Sequence, residues 1–222
     1  MTVSLAVCLL AALLGTGAGL QCEVCAAEGH NCSGSLQPCP AGQDSCGIFL
    51  TEVTLAEVKS QSILKSCVTS SQCKAGPGSV DFGYQMTRRV SVACCVGDAC
   101  RNTSVPPFDA KPNGRRCRGC FVSNTDHCTE QIIYCSGAET RCINAAGTIL
   151  TAVGNLTQSI LKGCASESVC AQLKVGPATV AGISANLTTA KCLAQGPARF
   201  LLPALAGLLL NLLSPLPTAT PC

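Results

Sequence analysis

Between its two ends the chain carries short apolar stretches with a period near two, broken every few residues by Gly, Pro, Ser, Asn or Cys. Gly47-Ile-Phe-Leu-Thr-Glu-Val-Thr-Leu55 is rich in β-branched and aromatic residues with partial alternation, and Gln61-Ser-Ile-Leu-Lys-Ser-Cys-Val68 supplies a return strand. A further pair is expected near Ser79 to Gln85 and Arg88 to Cys95, and another between Thr148 to Val153 and Gln158 to Cys164. No run of ten or more residues outside the termini shows a helical period, so the pattern predicts an all-β protein built from hairpins.

The two ends are different in kind. Met1 to Gly19 has an apolar run from Val3 to Leu14 followed by small residues, with Gly17 and Gly19 fitting the small-residue cleavage rule, so residues 1–19 are expected to be a secretory signal peptide. The run falls short of the roughly 20 residues a spanning helix needs, and Cys8 would leave with the peptide. Phe200 to Leu216 is Leu-rich but interrupted by Pro203, Asn211 and Pro215, with no basic cluster after it. The tail 195–222 therefore suits a removable glycolipid-anchor signal, whose hydrophobic part is about 10–20 residues long. Cys192 stands so close to it that the polar spacer is short, and the other reading is a secreted chain whose tail is retained or trimmed.

Composition sharpens the picture. Twenty cysteines in 222 residues, with 3% aromatic and 12% charged residues, mark a disulfide scaffold of an oxidising compartment rather than a cytosolic domain. A net charge of +3 gives no footprint for nucleic acid. The cysteines also repeat. From Cys22 they follow at 25, 32, 39, 46, 67, 73 and 94, and from Cys117 at 120, 128, 135, 142, 164, 170 and 192, so no interval differs between the series by more than one residue. Ser60-Gln-Ser-Ile-Leu-Lys-Ser-Cys67 matches Thr157-Gln-Ser-Ile-Leu-Lys-Gly-Cys164 in the same register. Two homologous modules are expected, 20–101 and 115–194, joined by a semi-rigid linker, 102–114, in which Pro106, Pro107 and Pro112 withhold backbone donors. Arg115, Arg116 and Arg118 flank Cys117 as a basic junction, exposed to solvent, proteases or an acidic partner. Modules this small, without Trp, draw much of their stability from cystines, typically about 2–4 kcal/mol each.

Catalysis has little to stand on. His30 and His127 occupy corresponding early loops and neither lies in a motif with a nucleophile. No nucleophile elbow, phosphate loop or zinc-protease motif occurs. Cys22/Cys25 and Cys117/Cys120 have the spacing of metal or redox dithiols, but a secretory leader and an even cysteine count per module favour disulfides, and no cofactor or metal is expected.

The opening Cys22-x2-Cys25-x6-Cys32, then Cys39, Cys46, Cys67 and Cys73, and the closing Cys94-Cys95-x4-Cys100 with Asn102 after Arg101, resemble the LU module of the lymphocyte-antigen-6 and urokinase-receptor superfamily. The resemblance implies tandem three-finger domains. It also implies the pairing Cys22–Cys46, Cys25–Cys32, Cys39–Cys67, Cys73–Cys94 and Cys95–Cys100, then Cys117–Cys142, Cys120–Cys128, Cys135–Cys164 and Cys170–Cys192. Module two departs from the pattern in lacking the final Cys-x4-Cys-Asn loop, since Leu193 follows Cys192. Gln21-Cys-Glu-Val-Cys25, Asp44-Ser-Cys-Gly47, Thr140-Arg-Cys-Ile-Asn144 and Lys162-Gly-Cys164 most resemble the gamma-type phospholipase A2 inhibitors. What this implies is a secreted, glycosylated protein that occludes a secretory phospholipase A2, with self-association; the alternative is an anchored receptor or adhesion protein of the cell surface that binds another protein.

Four sequons begin at Asn31, Asn102, Asn155 and Asn186, the first a poorer acceptor because its central residue is Cys32. A glycan on Asn155 would crowd the central fingertip expected in module two. The corresponding tip of module one, Leu55, Ala56, Glu57, Val58 and Lys59, is then the freer one and the expected partner contact.

Overall fold

The structure, a computed structural model, describes residues 19–83, 86–150 and 154–194. All but the last residue of the expected leader, the tail 195–222 and the expected strand positions Gln85 and Thr151 to Val153 lie outside those residues. Twelve strands and only short helical turns make up the described chain, an all-β architecture of two tandem three-finger domains.

In module one the first finger is β1 (Gln21–Glu28) with β2 (Ser35–Pro38), the second is β3 (Ser45–Leu55) with β4 (Val58–Val68), and the third is β5 (Gly78–Asp81) with β6 (Met86–Cys95). Module two repeats this as β7 (Pro112–Ser123) with β8 (Gln131–Ser136), β9 (Arg141–Leu150) with β10 (Leu156–Ala165), and β11 (Gly176–Val180) with β12 (Ile183–Ala194). All pairings are antiparallel, and the third finger of each module crosses back to pair with the second, β6 on β3 and β12 on β9. In β9 the buried positions Ile143, Ala145, Gly147 and Ile149 alternate with half-buried ones, the signature of a strand with one face on a core.

Cystines tie the strand bases together. The bonds are Cys22–Cys46, Cys25–Cys32, Cys39–Cys67, Cys73–Cys94 and Cys95–Cys100 in module one, and Cys117–Cys142, Cys120–Cys128, Cys135–Cys164 and Cys170–Cys192 in module two. Cys73 and Cys170 sit in one-and-a-half-turn helices, α1 (Ser70–Ala75) and α2 (Glu167–Gln172), which are too short to leave a period in the sequence. Thr69 caps α1 in a capping box with Gln72, and Asp44 accepts from the Ser70 amide at 2.7 Å, so local polar bonds rather than an apolar face hold that helix.

Two findings depart from a picture of separate beads on a linker. The first is the linker itself. Ser91 Oγ donates to the Pro106 carbonyl at 2.7 Å and Val105 packs against the cluster of Cys32, Ile48 and Ile63, so the segment is laid onto module one. It ends at residue 111, because Pro112 already opens β7 opposite Ser136; proline is tolerated as the first residue of a strand, where its missing N–H breaks no ladder.

The second is a seam that joins the sheets. The edge of β10 is shared: residues 159–162 take β7, and Cys164 and Ala165 take Asp81 and Val80 of β5. The Ser166 amide donates to the Ser79 carbonyl at 2.9 Å, and the Ser79 amide to Ser166 Oγ at 3.1 Å. Gly163 makes the approach possible, since a Cβ there would lie 1.9 Å from the Asp81 carbonyl oxygen. Across the seam lies the largest apolar cluster: Val80, Phe82 and Met86 from module one with Ile143, Ile149, Leu161, Val169, Val180 and Leu187 from module two. Among the described residues, module one keeps for itself the smaller set of Ile48, Ile63 and Val68 beside cystine sulfur.

Candidate protein-binding surface at the fingertip and the module junction

The second finger of module one ends in a two-residue turn. Leu55 faces Val58 as the last pair, and Ala56 and Glu57 between them have φ of 46° and 70°. Positive φ at both central positions is the hairpin turn whose twist matches the strands, here made without glycine. Leu55 is 53% exposed and Val58 72% exposed, so apolar surface is offered at the tip. Beneath it the tip is braced. Glu52 is 4% exposed and meets Lys59 at 2.6 Å, Gln61 Nε2 at 2.7 Å and Arg89 at 3.3 Å. Burial opposes its charge, but those three donors outweigh burial and hold the carboxyl below the usual range.

Arg89 carries this bracing across to module two. Its Nη1 donates to Glu52, its Nη2 donates to Ser136 Oγ at 3.2 Å, and its Nε is buried with no partner. Ser136 in turn donates its amide to Glu139 Oε2 at 2.9 Å. Glu139 is fully buried and its Oε1 has no partner. Burial raises the Glu139 carboxyl above its ordinary value, the Ser136 amide opposes the rise, and the negative charge of Asp81 adds to it. Asp81, half-buried, is raised by its own desolvation against the pull of the Gly83 amide, which donates at 2.8 Å. The junction thus sets Glu52, Asp81 and Glu139 around one half-buried cation.

The sign of the pH dependence follows. Asp81 and Glu139 keep protons in the folded chain at pH values where the unfolded chain, with ordinary values of 3.8 and 4.5, has lost them, so their contribution to stability falls as pH rises from that range through the folded values. Glu139→Gln should therefore flatten the decline of the melting midpoint as pH rises above the ordinary value of 4.5. A midpoint–pH profile parallel to that of the wild type would contradict this.

The other sequence-derived positions fall as follows. Asn31, Asn102, Asn155 and Asn186 are all exposed; Asn155 lies beside Leu156 at the tip of β9 and β10, and Asn186 sits on β12 opposite Thr148. His30 and His127 are exposed loop residues, with Thr129 Oγ1 3.5 Å from His127 Nε2. Arg118 pairs with Glu130 at 3.4 Å. Cysteine sulfurs cluster within 4.8 Å in Cys22/Cys39/Cys67, Cys46/Cys95/Cys100 and Cys117/Cys135/Cys164, and each is in a disulfide, so none is a thiolate ligand. The junction charges form no motif along the chain. The one signal for them is Glu52 itself, a carboxylate on the same face of β3 as Ile48 and Leu50.

A cystine-tied scaffold of two three-finger modules is an architecture of the u-PAR/Ly-6 kind. Residues 20–102 match the phospholipase A2 inhibitor model and residues 113–195 the u-PAR/Ly-6 domain model. The chain is 34% identical over 172 residues to a gamma-type phospholipase A2 inhibitor of Gloydius brevicaudus siniticus, covering 75% of this chain and 84% of that one. Phospholipase A2 inhibitor NAI of Notechis ater is 35% identical over 73% of this chain and 82% of its own, and a gamma-type phospholipase A2 inhibitor of Laticauda semifasciata 36% identical over 68% and 84%. The chain belongs to the phospholipase A2 inhibitor family. Among solved structures, that of mouse TEX101 aligns over 79% of this chain and 99% of its own at 16% identity and a TM-score of 0.29.

Proposed function

We propose that this chain is an extracellular binding protein that inhibits a secretory phospholipase A2 by covering its surface, with no chemistry of its own. The observation that carries the reading is a relationship that runs through most of the chain, 34% identity over 84% of a protein named as such an inhibitor. The first-module tip, Leu55 to Lys59, supports it as a contact: two exposed aliphatic side chains stand on a braced turn, and burial of such groups drives association. The exposed Asn102, Asn155 and Asn186 are the glycan acceptors in this proposal, which leaves the first-module tip the freer of the two.

The test is a titration of purified chain against a panel of secretory phospholipases, scored by substrate hydrolysis. Replacing Ala56 to Lys59 and Leu55 by a Gly/Ser stretch should weaken inhibition at least about tenfold, the equivalent of about 1.4 kcal/mol, with the disulfides and the melting transition retained. Unchanged inhibition would remove the tip from the interface. The apolar tail from Phe200 favours a second reading, attachment to the outer cell surface through a glycolipid. Expression in mammalian cells followed by glycolipid-specific phospholipase treatment decides it: release of protein lacking the tail supports the anchor, and free protein in the medium supports the soluble inhibitor.

A further inference from the structure

The fingertip does not stand alone. Between it and the first finger of module two runs a groove of about 490 Å³, with Thr54, Glu57 and Thr87 on one wall, Asp81 and Arg89 deeper, and Ile132 and Tyr134 on the other wall. One wall comes from the second and third fingers of module one and the other from the first finger of module two, and the seam of β5 on β10 joins the two modules. The wall from module two is β8, which among the described residues pairs with β7 alone, so its other edge is unpaired. Ile132 and Tyr134 alternate on that strand with buried Ile133 and Cys135, and are 54% and 70% exposed. An unpaired edge flanked by exposed apolar side chains is a template for another strand, and most folded proteins blunt such an edge.

The charge of the groove selects what comes. Glu57 at the tip is exposed and acidic, and Asp81 is acidic. The one cation in its lining, Arg89, is already spent on Glu52 at 3.3 Å and on Ser136. The groove is therefore short of positive charge.

We infer that the groove at the module junction receives an extended segment of the protein partner, which adds to the β8 edge beside Ile132 and Tyr134 and places a lysine or arginine toward Asp81 and Glu57. The inference rests on the reading of the chain as an inhibitor of another protein and assigns where that partner is held. It makes both modules necessary at once: the tip of one supplies Glu57, and the first finger of the other supplies the strand edge.

The test uses the full chain, ¹⁵N-labelled, with a capped hexapeptide probe, Thr-Val-Lys-Val-Thr-Val, and its analogue with norleucine in place of lysine. The lysine peptide should shift the amide resonances of Gln131 to Ser136 and of Thr54 to Glu57, and the norleucine peptide should bind about tenfold more weakly, the scale of a lost charge-assisted hydrogen bond. The paired variant Ile132→Ser with Tyr134→Ser changes exposed side chains only and should melt with the wild type while losing the shifts. The same variant should inhibit phospholipase at least about tenfold less well. Equal binding of the two peptides, or shifts that spare β8, overturns the inference. Self-association that the paired variant abolishes, without peptide binding, assigns the edge to a second copy and also overturns it. A wild-type chain that inhibits no phospholipase yet binds the lysine peptide at β8 keeps this inference and removes the inhibitor reading. Unaltered inhibition by the paired variant does the reverse.

Discussion

Phe82→Ala should lower the stability of the protein by about 3–5 kcal/mol, the usual cost of deleting a buried aromatic ring, and should unfold both modules together. Phe82 belongs to module one by sequence but is 1% exposed within a cluster whose other members come mostly from module two. Its ring stacks on Phe121 with centroids 6.3 Å apart and planes at 24°. Removing it opens a cavity in the largest cluster shared by the modules, beside the β5–β10 seam. Module one then loses its share of the largest apolar cluster, since the rest of its described interior is smaller, Ile48, Ile63 and Val68 beside cystine sulfur. Differential scanning calorimetry should show one transition in the wild type and one in the variant, lowered by on the order of 10 °C for a chain of this size. Leu64→Ala, at a side chain 46% exposed, should move it little. Two separate transitions in the wild type, only one of them moved by Phe82→Ala, would show that the seam does not couple the modules.

What could be foreseen of this fold divides along a physical line. Hairpins are local: β3 and β4 pair across a two-residue turn, and the alternation of Ile48, Leu50 and Glu52 against Phe49, Thr51 and Val53 is visible in the chain itself. The repeat of eight cysteine positions likewise needs no structure. The seam is different. It rests on backbone atoms of Asp81 and Val80 meeting Cys164 and Ala165, and backbone carries no sequence signal; only the absence of a Cβ at Gly163 hints that another chain segment passes there. The junction charges were hidden for a related reason. Arg89, Glu52 and Glu139 lie far apart in sequence, and what makes them a group is a contact between modules, of which the semi-rigid linker gives no sign. The Pro106 carbonyl accepts a hydrogen bond from Ser91, so the linker is laid against module one. The fingertip was foreseen at Leu55 to Lys59, but its role as one wall of a groove was not, because the other wall belongs to β8.

Among the cystines, loss of Cys135–Cys164 should be far more damaging than loss of Cys25–Cys32, although one bond is removed in each case. The chain between Cys135 and Cys164 is 29 residues and that between Cys25 and Cys32 is 7, so in the chain-entropy model the first constrains the unfolded state by about 3.5 kcal/mol and the second by about 2.5 kcal/mol. Burial widens the gap. Cys135 and Cys164 are both at 0% exposure and pack with Cys117 and Ile133, so replacing both by alanine also removes sulfur from a closed interior; in the other bond Cys32 is buried beside Ile48 and Ile63 but Cys25 is only half-buried. Cys164 is, moreover, the residue of β10 that faces Asp81 across the seam, so disorder there reaches the junction and the groove beyond it. The expected result is that Cys25→Ala/Cys32→Ala is secreted from mammalian cells in reduced but usable yield and melts cooperatively. Cys135→Ala/Cys164→Ala should be retained or degraded, because a loss above about 4 kcal/mol approaches the whole stability of a small domain. Equal secretion and equal denaturation midpoints for the two double variants would mean that the palm of module two is held by its strands and not by this bond.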